Sequence, residues 1–393
     1  MIERRLALAV ALSAASACSA ATLSIALLQR ADDPRFAPSL LELGYPGHAG
    51  GSLQAAAAMA IDETKFELDA AHLDAKLELR EAADAGDAAA KLQALARAGA
   101  AGVVLDLPAA WLAPAAGASA KAAPGLALVN AGDADERSRK LCLAPLFHTL
   151  PGERMRADAL AQTLLARRWQ RVLLLRGPGE DDAARAALAQ AAVQRYGLKL
   201  VATKAFKLSA DPRERDLANP ALLTGPSVGG DYDVVWVVDG DGEFARGLPY
   251  RVALPRPVVG DAGLYADAWS PHFDRYGAPQ LSHRFAHAAG RAMTGSDWAA
   301  YMATKALLAA ALAHPSAVDA ASISRTLAQP DFTLDGVKGV RLGFRAWDHQ
   351  LRQPLLLTDG EGVIGLAPVD GVMHAKNVLD TLGADAPEST CKR

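Results

Sequence analysis

Few side chains in this sequence stand at spacings that could do chemistry. Asp239-Gly-Asp-Gly-Glu243 offers three carboxylates in one turn, half the pattern of a calcium loop. It lacks the glutamate that closes such a loop, and it follows a strand-like run, so an acidic turn is expected in place of a metal site. His283 and His287 are four apart and share a helical face, but no glutamate adjoins the first, as the zinc-protease signature requires. Gly44 to Ser52, GYPGHAGGS, precedes a helix-like run. Its amides suit an anion, yet the spacing matches neither a dinucleotide fingerprint nor a P-loop, and a pliable lip over a cleft is expected. No nucleophile elbow, kinase set or paired-cysteine zinc motif is present. No catalytic residue, metal or cofactor is assigned, and an enzyme is not expected.

The elements that position these groups alternate. Thr22–Leu28, Ala75–Leu79, Gly102–Leu107 and Gly125–Asn130 read as buried strands. Helical periodicity over Leu53–Phe66 and Asp87–Ala98 lies between the first three. The pattern restarts with a helix at Met155–Arg167, a strand at Arg171–Arg176, a helix at Asp181–Tyr196 and strands at Lys199–Phe206, Asp231–Asp239 and Val258–Gly260. This is the grammar of parallel sheets covered by helices. At 393 residues the chain exceeds one ordinary core, so two such lobes are expected. A hydrophobic share of 51% suits a globular protein, and a net charge of −3 without basic blocks excludes nucleic acid as a partner.

Ligands of parallel sheets bind beyond the carboxyl ends of the strands. In the first lobe that rule selects Arg30, Asp32, Asp33 and Arg35, the turn from Asp106 to Trp111, and Asn130 with Asp133. In the second lobe it selects Arg176 to Asp182, Asp239 to Phe244, and Asp261 to Trp269. Trp111 and Trp269 are expected in loops facing the cleft.

Near the amino terminus, Arg4 and Arg5 precede the apolar stretch Leu6–Ala15 and a small-residue site ending at Ala20. Residues 1–20 therefore read as an export signal and the periplasm as the destination. Ala15-Ser-Ala-Cys18 is a weak lipoprotein box. An exported chain favours pairing of the other two cysteines, Cys142 with Cys391.

Phe273–Ala311 carries the strongest pattern. Thr294, Gly295, Ser296 and Asp297 start a helix, Trp298, Tyr301, Met302, Ala306, Leu308 and Leu312 make it apolar all round, and Pro315 limits it. Asp297-Trp-Ala-Ala-Tyr301 with Lys305-Ala-Leu307 resembles a helix near the end of type I periplasmic binding proteins of branched-chain amino-acid transporters. The preceding Arg275-Tyr-Gly-Ala-Pro-Gln-Leu-Ser-His-Arg-Phe285 resembles more narrowly the substrate-binding proteins found with PQQ-dependent alcohol oxidation.

The resemblance implies two lobes joined by three hinge strands. Lobe 1 would hold residues 21–141 plus 262–330, and lobe 2 residues 142–261 plus 331–393. Ser322–Ala328 would be a further helix, and Gly339–Phe344 and Gln353–Thr358 a pair of strands joined by a polar turn. It also implies a monomeric receptor delivering a small ligand to an ABC permease in the inner membrane. A non-transport accessory or sensor of alcohol oxidation, handling the quinone, is the alternative. Amino-acid-binding relatives carry Ser, Ala and Thr after the third strand to hold the ligand carboxylate. Here that place reads LDLPAAWLAP, Leu105 to Pro114, without a hydroxyl. Asp106 is expected to repel a carboxylate and Trp111 to favour a flat or apolar ligand, so a free α-amino acid is not expected.

Overall fold

The computed structural model describes residues 21–391 apart from Pro46, Ala210, Pro212, 215–218, 220–230 and Ala253. The export signal and Cys18 lie outside the described residues. Strands β1 (Ala21–Arg30), β2 (Leu73–Ala82), β3 (Gly102–Asp106), β4 (Ala127–Asn130) and β5 (Leu146–His148) form a parallel sheet in the order β2-β1-β3-β4-β5. Between them run helices α1 (Pro38–Leu43), α2 (Gln54–Glu63), α3 (Lys65–Ala70), α4 (Ala85–Arg97), α5 (Ala109–Ala122) and α6 (Glu136–Arg139). The inner strands β1, β3 and β4 are largely apolar on both faces because both faces are covered, whereas the edge strand β2 carries charged residues. In β1, Leu23, Ile25 and Leu27 enter one core, whereas Ala26 and Leu28 enter the other.

Three features depart from the sequence reading. The helix expected over Leu53–Phe66 breaks at Thr64, whose hydroxyl donates to the Ala60 carbonyl one turn back. The expected loop after Asp106 is helix α5, so Trp111 lies on a helix. Pro114 reads as a breaker, but burial of Leu112, Ala115 and Ala116 against the sheet holds the helix around it. The stretch expected to pass between lobes at Cys142 contains β5, which pairs with β4, so strand pairing carries the first sheet to His148.

Helix α7 (Glu153–Ala166) opens the second unit. Strands β6 (Arg171–Arg176), β7 (Lys199–Ala205), β8 (Val234–Val238) and β9 (Val258–Gly260) form a parallel sheet in the order β7-β6-β8-β9, with α8 (Glu180–Arg195) and α9 (Glu243–Gly247) between them. The same alternation recurs in β8: Val234, Trp236 and Val238 face one core, Val235 and Val237 the other.

The chain then runs through β10 (Tyr265–Asp267), α10 (Ala278–Ala289), α11 (Gly295–Ala313) and α12 (Ala320–Leu327). Helix α11 packs into the first core. Thr294 and Asp297 form a reciprocal cap, and Arg291 donates to both Asp297 oxygens at 2.6 and 2.7 Å. Last come β11 (Leu334–Asp335), β12 (Arg341–Phe344), β13 (Leu351–Arg352), β14 (Leu355–Thr358) and β15 (Val363–Ala367). The two strands expected to pair with one another do not. Strand β12 pairs with β11 and β13, and β14 pairs with β10 and β15. Pro354, which has no N–H to donate, separates β13 from β14.

Side-chain hydrogen bonds tie the passages between the sheets together. Gln353 donates to the Thr149 carbonyl at 2.7 Å and accepts from Lys338 at 2.8 Å, and Gln350 donates to the carbonyls of His148 and Leu150. Cys142 and Cys391 form a disulfide across 249 residues of sequence, fastening the tail to the first sheet's last connection. Among the described residues no helix is long and apolar enough to cross a membrane.

Candidate ligand-binding cleft

Beyond the carboxyl ends of the first sheet, Arg35 donates from one guanidinium nitrogen to Asp33 and Asp106, each at 2.7 Å. Asp106 is 1% exposed, and burial pushes its carboxyl up against the pull of Arg35. The repulsion expected of Asp106 toward a carboxylate is therefore compensated within the chain by Arg35. Arg30 lies over the Trp111 ring at 5.2 Å, so this half-buried indole is already covered on one face by a cation. Asp32 is exposed, in a left-handed turn that leads the chain out of β1. Asn130 is fully buried and spent inside its own turn. Its amide nitrogen donates to the Asp133 carbonyl and contacts His148 Nδ1, and its oxygen accepts from the Gly132 and Asp133 amides. Asn130 thus shapes the turn and is not offered to a ligand.

In the second unit, Arg176 donates to the Gly177 carbonyl, and Phe244 stacks on Phe206 with centroids 4.0 Å apart. Asp239 accepts from the Ala245 amide, which makes it the staple of an acidic turn. Burial raises its carboxyl pKa. Among the described residues no group of three or more His, Cys, Asp or Glu is placed to hold a metal ion. His283 and His287 are exposed on α10. Trp269 corrects the sequence reading outright. It is 2% exposed, stacked near-parallel to Trp298 and edge-on to Phe273, with its N–H on Ser282. Its ring is core, because the chain has re-entered the first lobe's core by that point.

Asp261 is the sequence candidate around which other groups gather. Its carboxylate accepts from Arg185 at 2.5 Å and from the Asp239 amide at 2.6 Å. Arg185 also bonds Glu153 at 3.3 Å. Glu153 meets Arg156 at 3.4 Å, and Arg156 reaches Asp267 on β10 at 3.2 Å. Burial alone would raise the Glu153 carboxyl, but Arg185 and Arg156 hold it below its usual range. The chain of charges runs from the end of β9 to the strand that links the two units.

Glu153, Arg156 and Arg185 are absent from the sequence candidates. Glu153 and Arg156 lie in the first turn of α7 and Arg185 in the second turn of α8, not in loops after strands. The available signal was that both helices begin where the carboxyl ends of β5 and β6 point.

Tyr45 and Gly47 reach from the first unit to this cluster. Tyr45 is buried, and its ring lies against Gly242, where an added Cβ would sit 3.0 Å from it. Gly242 also holds a left-handed φ of 81°, so both space and conformation call for glycine there. Gly47 helps line a recess of about 60 Å³ with Glu153, Arg156, Arg185, Asp261 and Tyr265. The other end of the segment is held by Arg291, which donates to the Ser52 carbonyl. The glycine-rich stretch is therefore a strap over the second unit; the cation beside it, Arg291, already pairs with Asp297.

The sequence matches no protein-family model and no curated protein. Solved structures do match. A branched-chain amino acid ABC transporter periplasmic ligand-binding protein from Burkholderia xenovorans superposes with a TM-score of 0.70 at 14% identity, covering 88% of this chain and 95% of that one. The leucine-, isoleucine-, valine-, threonine- and alanine-binding protein from Brucella ovis, in its closed conformation, gives 0.68 at 13%, covering 86% and 89%. An ABC transporter solute binding protein from Rhodopseudomonas palustris, in complex with 3,4-dihydroxybenzoic acid, gives 0.61 at 12%, covering 86% and 93%. At such identities the likeness is one of architecture: the chain has the two-lobed α/β fold of the type I periplasmic binding proteins.

Proposed function

We propose that this chain is the periplasmic solute-binding component of an ABC transporter, exported by residues 1–20 and handing a small organic ligand to a membrane permease. We place the passages between lobes near residues 149–152, 261–265 and 352–355. The observation that carries the reading is the strap. A segment of one lobe reaches the charged cluster of the other and meets it through Tyr45, Gly47 and Gly242. A ligand held between two lobes favours the closed arrangement by touching both.

The neighbours' ligands range from amino acids to 3,4-dihydroxybenzoic acid, so the fold leaves the ligand class open. Two features argue against a free α-amino acid. No hydroxyl stands between Leu105 and Pro114. Asp261, a carboxylate suited to an ammonium group, is already paired with Arg185. Together with the likeness of Arg275–Phe285 to receptors found with PQQ-dependent alcohol oxidation, this favours an alcohol, its oxidation product or the quinone.

A thermal-shift screen of the mature protein against short alcohols, aldehydes, carboxylates, the quinone and amino acids tests the reading. A ligand at 100 times its dissociation constant adds about 2.7 kcal/mol. A shift by an alcohol-derived compound is expected. A shift by leucine, isoleucine or valine alone overturns the ligand class, and no shift by any compound overturns the receptor reading.

A further inference from the structure

The strap belongs to a longer segment that is fixed at both ends and loose between them. Arg35, bonded to Asp33 and Asp106, holds one end. Ser52 holds the other: its hydroxyl donates to Gln29 at 2.9 Å and its carbonyl accepts from Arg291. Among the described residues from Pro34 to Ser52, Tyr45 is the one that is buried. Helix α1 buries no residue, and its Leu41 and Leu43 stand exposed. Nothing lies within 4 Å of a Cβ built on Gly44 or Gly47, the glycines on either side of Tyr45.

The ring of Tyr45 rests on the second unit. A Cβ on Gly242 would meet three of its ring atoms at 3.0, 3.0 and 3.3 Å. His48 closes the turn, its amide donating to the Tyr45 carbonyl at 3.1 Å and its ring meeting Tyr45 edge-on. Gly47, between them, is the one residue of the first unit that lines the recess; the other walls come from the second unit and β10. At about 60 Å³ the recess is under half of a cavity of about 150 Å³ that takes benzene. With the turn in place it has room for water but not for an organic compound.

We propose that Tyr45 is the gate of the cleft. Its ring on Gly242 latches the segment over the second unit, and an organic compound reaches the walls at Ala189 and Trp236 only when the ring has left. A segment with one buried side chain opens locally at a cost set by that side chain, below the cost of unfolding the sheets. The ring is the latch, by packing, and the phenol hydroxyl is not. The gate rests on the receptor reading above for what passes through it, but not for its motion.

The test uses the full mature chain carrying Ala189→Cys, with Cys142 and Cys391 paired. Ala189 is 2% exposed and lines the recess. N-ethylmaleimide is larger than benzene, so its rate of addition to that cysteine, followed by mass spectrometry, reports opening. Slow addition is expected with Tyr45 in place. Tyr45→Ala is expected to raise the rate at least about tenfold, the worth of a buried aromatic ring, and Tyr45→Phe to leave it unchanged. Gly242→Ala, which pushes the ring away from the other side, is expected to act as Tyr45→Ala does, and it decides alone if Tyr45→Ala does not fold. Amide exchange should rise in α1 and at Tyr45 in the faster variants while β1 and α2 keep their parent values.

Equal addition rates in the parent and Gly242→Ala, or rapid addition with Tyr45 in place, overturn the proposal. Addition to Tyr45→Phe as fast as to Tyr45→Ala overturns the ring as latch. A rise of exchange in β1 and α2 equal to that in α1 would make Tyr45 a prop of the fold and overturn the gate. The measurement needs no bound ligand, so a failed gate leaves the receptor reading to the thermal-shift screen, and a screen without a binder leaves the gate to this test.

Discussion

Arg185 shows how a single side chain organises the site. It bonds Glu153 and Asp261, which approach from different elements and would otherwise face one another as like charges. Arg185→Ala is expected to cost about 2 kcal/mol, since each acid keeps some exposure and a second donor. The pH dependence is a sharper measurement. Glu153 has a folded pKa below its unfolded one, so its contribution is complete above the ordinary carboxylate range and is lost as pH falls through the folded value. Without Arg185 the folded value moves up toward the unfolded one, so that loss should shrink and the acid limb should flatten. Urea unfolding of both proteins between pH 3 and pH 7 should show this, and parallel acid limbs would refute it. None of this was legible in the sequence. Glu153 and Arg185 stand 32 residues apart in helices whose charged positions look like any solvated face. By contrast, Asp261 was found by position alone, because it follows a strand end. Trp269 met the same rule and is core, since position after a strand says nothing about which lobe's interior the chain enters next.

Elements were more readable than sites, because burial on both faces writes unbroken apolar runs into β1, β3, β6 and β8. Helix α11 was readable from its cap and its all-round apolarity, and both have energetic consequences. Thr294→Ala is expected to cost about 1 kcal/mol by removing the cap, and Trp298→Ala about 3–5 kcal/mol by opening a cavity. Thermal unfolding of the two variants should preserve that order. Trp298 also carries the Lys338 ammonium 3.6 Å from its ring centroid. Lys338 is 1% exposed, bonded to Gln353 and the Pro354 carbonyl, and burial holds its pKa well below the ordinary 10.5 despite Asp267 nearby. Between the folded and unfolded values the unfolded chain binds more protons, so stability should rise with pH across that window. Lys338→Met should lose this rise, as urea unfolding from pH 7 to pH 10 on wild type and variant side by side would show. A rise of equal slope in both would mean that Lys338 stays charged in the folded chain. Strand partners were the unreadable part. Gly339–Phe344 and Gln353–Thr358 look like a hairpin in one dimension, yet Pro354 interrupts the ladder and β14 finds β10 from a distant stretch.

For the molecule as a whole, the constraint that spans most of the chain is the bond between Cys142 and Cys391. It closes a loop of 249 residues that includes the whole second sheet and the helices returning to the first. In the unfolded chain such a link removes many conformations, and the chain-entropy model puts the resulting stabilisation at up to about 5 kcal/mol, less whatever strain the link imposes when folded. The tail it holds is not decorative. Leu379 and Leu382 are buried, Arg345 donates to the Leu379 carbonyl, and Arg154 meets Glu388 at 2.6 Å. The tail therefore has packing of its own, and its docking should survive loss of the bond near room temperature while becoming the first region to open on heating. Cys142→Ser with Cys391→Ser is expected to lower the melting temperature by several degrees or more, and to raise amide exchange in residues 378–391 before the two sheets are affected. Dithiothreitol should lower the wild-type melting temperature to that of the double variant and leave the double variant unmoved. Equal melting temperatures for wild type and double variant, with unchanged exchange in the tail, would show that packing alone holds it and that the bond adds nothing to the fold.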